Sequence, residues 1–378
     1  MKTQSSPDQV LSLPGFGAVT NTQFAGYASI APPKKPTAST EELFYWFVGT
    51  DDYAKKPTVL WTNGGPGSSS FWGFFLENGP YEVQSAVGDY PVVTPRPTAW
   101  NNKANYMIFE HPLSVTLSFQ NVDADVPKTP QQGIEQLYNA LLNFVALHPE
   151  IAKNPIILAG ESYAGTYLPL LAKAILDGNA KGNTKLDLRS TVLLDAWVDP
   201  FVQMAKDTEY AFTHGLISAA QKKQLDKKYT GKNLANVNSE IANICGCYMA
   251  NTAEIGDPPF DPVLLYLNRD DVREAIHAKK GIQLTDTWSK IVSDNYTPYV
   301  NDSFAHIVQQ LLSKNHKIQV ISGLNDAKDC NFLGTGAWLD KMKGKAAQAF
   351  QKATPTQWKD AANTVIGFNQ DGGTLSWL

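Results

Sequence analysis

The sequence predicts an α/β fold built on a mainly parallel, doubly wound sheet, and three observations carry that expectation. Short apolar runs alternate with segments of helical periodicity, several runs end in Gly-rich or polar turns, and the alternation persists along most of the chain. The first 50 residues stand apart: they read as a leader and an antiparallel pair, Phe24 to Ile30 and Leu43 to Val48, separated by a Pro/Lys/Ser/Thr-rich turn. Thr58-Val59-Leu60-Trp61 is then a short strand ending in a Gly/Pro loop, and Tyr106-Met107-Ile108-Phe109 is a second. Ile134, Leu137, Tyr138, Leu141, Leu142 and Val145 recur at helical spacing between Gln132 and His148, and Ile156-Ile157-Leu158-Ala159 makes a third strand. A helix is expected from about Tyr163, a strand from Thr191 to Leu194, an amphipathic helix through Phe304, Ile307, Val308, Leu311 and Leu312, and a strand from Ile318 to Ile321. In such a sheet the functional loops lie at the carboxyl ends of the strands. From Val202 to Pro262 the alternation breaks into Lys-rich helical segments and a Cys-Gly-Cys turn, so 202–262 reads as a helical insertion or cap within one domain spanning 1–378.

Composition narrows the functional classes. The 378 residues are 43% hydrophobic and 11% aromatic, enough apolar surface for a large core and a lined pocket. The formal charge is −4 and no Lys/Arg block could track a phosphate backbone, so nucleic acid is not expected as a partner. No window approaches the roughly 18 to 20 consecutive apolar residues of a membrane span, and Met1-Lys2-Thr3-Gln4-Ser5-Ser6 carries no apolar run of a secretory signal. Two sequons, Asn295-Tyr296-Thr297 and Asn301-Asp302-Ser303, are compatible with secretion. Cys245, Cys247 and Cys330 are too few for a disulfide framework; the first two are too close in sequence for easy mutual bridging and lack further ligands for zinc. Cys330 reads as a buried, inert thiol.

Two constellations carry chemistry. Gly160-Glu161-Ser162-Tyr163-Ala164-Gly165 follows the strand Ile156 to Ala159 and opens a helix. A strained strand-to-helix turn lifts a serine hydroxyl above a sheet edge, where it can act as a nucleophile if a base takes its proton. The pattern is loose, with Ala164 at the second Gly of G-x-S-x-G. Asn63-Gly64-Gly65-Pro66-Gly67-Ser68-Ser69-Ser70 directly follows the strand ending at Trp61; a loop this rich in Gly brings backbone N–H groups near a ligand, which suits an oxyanion hole. A phosphate loop would end in Gly-Lys-Ser/Thr, and this one does not.

With Glu77-Asn78-Gly79-Pro80, Trp197-Val198-Asp199-Pro200, Tyr266-Leu267-Asn268 with Asp271-Val272, and Ser322-Gly323-Leu324-Asn325-Asp326, these segments resemble the motifs of the serine carboxypeptidase family, in family order, from Leu13-Pro14-Gly15 to nearly the last residue. The resemblance implies an α/β-hydrolase fold with a mostly parallel central sheet and helices on both faces, no cofactor and no metal. It implies Ser162 as nucleophile, Asp326 as the carboxylate that orients a histidine, and the Gly65 and Tyr163 N–H groups as oxyanion donors. Asn63, Glu77 and Glu161 resemble the residues that hold a substrate's free carboxylate, on a peptide or a small acyl substrate. Carboxylic acids facing a carboxylate cannot all be ionised, so such a site binds best at acidic pH, with affinity falling as pH rises through about 6 to 7. The family resemblance also implies a secreted or vacuolar/lysosomal home.

The chain departs from the family at the base. The family places a Gly-His near the end of the chain, but all six histidines, His111, His148, His214, His277, His306 and His316, precede Asp326. Gly372 to Leu378 resembles the strand that leads into that turn. Three readings stay open: the histidine lies in a segment beyond Leu378, the protein is a non-catalytic binding relative, or another group is the base. His111, where relatives carry Gln before Pro, is the substitute to name. Ser114-Val115-Thr116-Leu117-Ser118 lacks the family's glycine, and Ser68 stands at a half-cystine position. Acyl transfer or a lyase reaction, both known in the family, is the alternative activity.

Overall fold

The computed structural model describes residues 6–84, 91–118, 120, 122–231, 234, 236–328 and 330–378. Its principal elements are β1 (Gln23–Ser29), β2 (Glu42–Val48), β3 (Thr58–Thr62), β4 (Asn105–Phe109), α1 (Pro130–Leu147), β5 (Pro155–Ser162), α2 (Ala164–Ala180), β6 (Asp187–Ala196), α3 (Ala219–Lys228), α4 (Val237–Cys245), α5 (Ala305–Ser313), β7 (Lys317–Ile321), β8 (Thr356–Lys359), β9 (Val365–Asp371) and β10 (Leu375–Trp377). Each strand and helix expected from periodicity is present, with ends shifted by at most four residues. The chain forms two compact units, one of Met1–Ala159, Leu170–Arg189 and Pro258–Thr297, the other of Gly160–Pro169, Ser190–Asp257 and Pro298–Leu378.

In the first unit the strand order is β5-β3-β4-β2-β1. β3 and β4 are parallel, with Leu60 opposite Met107, while β2 runs antiparallel to both β4 and β1. Every residue of β3 and β4 is buried, which is why they read as unbroken apolar runs rather than alternating ones. α1 begins where Thr129 accepts the Gln132 N–H and Pro130 takes the first helical position, and it turns Ile134, Leu137, Leu141, Phe144 and Val145 inward. It stops at His148, whose buried ring meets Asp8 at 2.8 Å. Burial pushes the Asp8 carboxyl up, but hydrogen bonds from His148, Ser6 and Tyr45 outweigh it and bring its pKa to about 2.

The second unit has the order β6-β7-β10-β9-β8. β6, β7 and β10 are mutually parallel neighbours, and β9 and β8 continue antiparallel to the edge. β10 is the strand expected at the chain's end. The 202–262 region folds partly as short helices. Ser218 and Gln221 cap α3 reciprocally, and Gly246, at φ +67°, terminates α4. Tyr210, Ile217, Leu225, Val237, Ile241 and Met249 pack with Ala327 into one apolar cluster. The sequence expectation for Cys245 and Cys247 is corrected here: the two form a disulfide, because the left-handed Gly246 between them folds the chain back and brings their Cα atoms to 5.2 Å. Cys330 is a buried thiol, as expected.

Candidate active site

Ser162 is the last residue of β5 and is exposed, with a left-handed φ of +56° that costs a non-glycine residue strain and marks a sharp strand-to-helix turn. The turn is held from behind, where the Ser162 carbonyl accepts the Trp197 N–H at 2.8 Å. A Cβ on Gly165 would lie 2.7 Å from both the nitrogen and the oxygen of Trp197. The close approach therefore falls one residue later than the loose G-x-S-x-G pattern puts it, and Ala164 fits, fully buried. Tyr163 is buried and precedes the first turn of α2, whose N-terminal amides lack intrahelical acceptors.

Asp326 lies on the loop after β7, half-buried, its Oδ1 accepting the Lys328 N–H at 2.9 Å. The 202–262 region grips this loop at three points: Tyr210 Oη donates to the Leu324 carbonyl at 2.6 Å, the Thr252 N–H to the Asn325 carbonyl at 2.9 Å, and the Ala327 N–H to the Met249 carbonyl at 2.9 Å. Tyr248, whose hydroxyl donates to Asp257, keeps its proton well above the ordinary phenol range through burial first, then Asp257, then the negative charges of Asp326 and Glu161. One phenol thus feels both predicted carboxylates of this unit. A further carboxyl, Asp195 at the end of β6, accepts the Gly323 N–H at 2.7 Å; burial raises its pKa to about 6 against that bond.

In the first unit the predicted residues cluster beyond β3. Asn63, 2% exposed, accepts from Trp61 Nε1 at 2.8 Å and the Gly73 N–H at 3.0 Å, while its Nδ2 donates to Glu77 Oε1 at 3.1 Å. The two predicted carboxylate-binding groups of this unit are therefore coupled and oriented. Gly65 has φ +107°, and a Cβ there would meet the Gly67 and Ser68 nitrogens at 2.7 Å, so only glycine permits this loop. Ser68 N–H donates to the Gly64 carbonyl, Ser69 N–H to the Thr287 carbonyl, and Ser289 N–H to the Gly67 carbonyl.

The histidines occupy local structural roles. His148 meets Asp8, His277 the Ala25 carbonyl, His306 the Ser303 carbonyl, His316 the Thr191 hydroxyl, and His214 stacks on Tyr210. His111 is 1% exposed, and burial lowers its pKa to about 3. This corrects its candidacy as a substitute base: the ring is enclosed in the core of the first unit rather than presented at a surface. Glu110, Tyr248 and Asp195 escaped the sequence reading. A glutamate closing the apolar run Tyr106 to Phe109 was a usable signal for the first. Nothing local marked the other two. Among the described residues no group of three or more His, Cys, Asp or Glu could hold a metal ion, and no helix is long and apolar enough to cross a membrane.

Comparison with known proteins bears on both units. The family described as serine carboxypeptidase matches residues 14–255 and 249–378. Serine carboxypeptidase S10 family member 1 of Dictyostelium discoideum is 26% identical, over 94% of this chain and 87% of its own length. Serine carboxypeptidase-like 36 of Arabidopsis thaliana is 30% identical, over 84% of this chain and 70% of its own. Among solved structures, the prohormone-processing carboxypeptidase KEX1(DELTA)P of Saccharomyces cerevisiae superimposes with a TM-score of 0.81 at 20% identity, covering 94% of this chain and 86% of that one.

Proposed function

The chain belongs to the serine carboxypeptidase family and has the α/β-hydrolase fold, and from that premise we propose that it removes C-terminal residues from peptides through an acyl-enzyme on Ser162 at acidic pH. The observation that carries the proposal is the exposed, left-handed Ser162 at the β5–α2 turn. In this reading the hydroxyl attacks the last peptide carbonyl while the Gly65 and Tyr163 N–H groups receive the negative charge. Asn63, Glu77 and Glu161 bind the terminal carboxylate, with a proton held among the acids, and 202–262 forms part of the cap over the substrate. Asp326 orients a histidine. β10 runs parallel to β7 and the Ser322 N–H bonds the Leu378 carbonyl, so a residue joined to Leu378 emerges at the same end of the second unit as the Asp326 loop; we place the histidine there. A secreted or vacuolar home accords with the acidic optimum.

Two measurements test this. A fluorophosphonate probe labels Ser162, and Ser162→Ala abolishes the labelling. A chain ending at Leu378 labels orders of magnitude more slowly than one extended by a Gly-His-bearing segment, since loss of a triad histidine costs on the order of 10⁶ in kcat. With the extended chain, KM for a blocked dipeptide rises as pH passes about 6 to 7; a flat KM from pH 4 to 8 refutes the carboxylate site. Labelling without release of free amino acid points to acyl transfer or a lyase reaction instead.

A further inference from the structure

Behind the Gly-rich loop lies a carboxyl group that the proposed chemistry does not use. Glu110 closes β4 and is fully buried. One of its oxygens accepts the Ser70 N–H at 2.8 Å, and the other accepts the Ser69 hydroxyl at 2.6 Å and the Thr116 hydroxyl; the Ser69 oxygen in turn accepts the Phe71 N–H at 3.1 Å. Its own N–H donates to the Phe44 carbonyl at 2.9 Å, fixing the residue to the sheet. All the contacts just named are hydroxyls and amides, and no cation is among them. A buried carboxyl without a charged partner is costly, and burial raises its pKa to about 7 against these bonds. Thr116 sharpens the point. It is a β-branched residue at φ +39°, a strained conformation, and its hydroxyl is spent on Glu110.

We propose that Glu110 is a positioning residue: a buried carboxyl anchored on β4 that holds the Ser69–Phe71 stretch and thereby sets the Gly64–Ser68 loop in the conformation that presents the Gly65 N–H. The proposal rests on the reading of Gly65 as an oxyanion donor, and it deepens that reading by naming what aims the donor. Glu110 touches no substrate in this scheme. Other supports of the loop, the Thr287 and Ser289 backbone groups and the Trp288 indole, act at Ser69, Gly67 and Pro66, so the Ser70 amide depends on Glu110, and the Phe71 amide depends on it through the Ser69 hydroxyl.

The test uses the full chain, and the extended chain for turnover, with Glu110→Met as the disrupting variant and Glu110→Gln as the conservative one. Glutamine keeps an oxygen for the Ser70 N–H and turns its amide toward two hydroxyls that can accept. Amide exchange is read at Ser68, whose N–H bonds Gly64 and not Glu110. Glu110→Met accelerates that exchange at least about tenfold, and Glu110→Gln returns it to within about threefold. In the active chain Glu110→Met lowers kcat about 100-fold, the scale of losing one oxyanion donor, with KM within about threefold. Unchanged Ser68 exchange in a folded Glu110→Met protein overturns the proposal. If Glu110→Met does not fold, Ser69→Ala and Thr116→Ala, each removing one donor, replace it, and unchanged exchange in both is equally fatal. Faster Ser68 exchange in Glu110→Met, when the unsubstituted extended chain itself shows no turnover, sustains the anchor and refutes the peptidase reading.

Discussion

At the scale of single residues, positive φ angles separate two kinds of position. Ser162 must tolerate +56° because its hydroxyl has to leave the sheet, whereas Ser114, at +87°, occupies a stretch where the family resemblance leads one to expect glycine. Replacing Ser114 by Gly relieves that strain at the loss of one hydroxyl contact to Ser289, so the denaturation midpoint rises by the equivalent of about 0.5–1 kcal/mol. Gly165→Ala acts in the opposite sense. Its new Cβ would meet the Trp197 backbone at 2.7 Å, and the overpacking costs about 1–3 kcal/mol together with most fluorophosphonate labelling. Equal stability of Gly165→Ala and the parent would show that the β5–α2 turn can shift without penalty. The contrast also explains what could be read in advance. Gly-rich and Ser-centred turns announce themselves because few other residues fit them, but a single Glu closing a strand gives only a hint until its three donors are assembled around it.

At the scale of elements, the loop bearing Asp326 is held by hydrogen bonds donated by Tyr210 and Thr252, by one it donates to the Met249 carbonyl, and by the packing of Ala327 into the cluster around Tyr210 and Ile241. Side-chain choice near the 202–262 region should therefore tune the carboxylate without touching it. Tyr210→Phe removes the bond to the Leu324 carbonyl and costs about 1 kcal/mol of stability; faster exchange is expected at the Ala327 amide while α1 amides stay unchanged. Uniform acceleration throughout would instead mean global destabilisation. The strands and α1 were legible because their apolar period matches burial on both faces or on one. The Cys245–Cys247 bridge was not, since sequence separation says nothing of the left-handed Gly246 that folds the pair together. The grip on the Asp326 loop was equally hidden: backbone carbonyls at Leu324 and Asn325 accept it, and carbonyls are the same in every residue.

At the scale of the whole molecule, buried ionisable groups define a pH range. Glu110 and Asp195 have folded pKa values raised to about 7 and 6, so their contribution is complete below their unfolded values and is lost as pH rises toward neutrality. His111 and His316, lowered by burial to about 3 and 4, contribute above their unfolded value, and that share is lost as pH falls. Between about pH 4.5 and 6 the unfolded chain holds two protons on the imidazoles while the folded chain holds two on the carboxyls, so these four groups cancel. Below about pH 4 the histidines and then Asp8, at about 2, favour the unfolded chain. The thermal midpoint should thus be nearly level from about pH 4.5 to 6 and drop steeply below 4; a steady decline from 6 to 5 would contradict the assignment. The Cys245–Cys247 bridge has a further consequence, for anyone preparing the protein. Denatured without reductant, the chain should titrate with a single thiol, that of Cys330, and after reduction with three, so a thiol count before any assay reports whether the preparation passed through an oxidising environment.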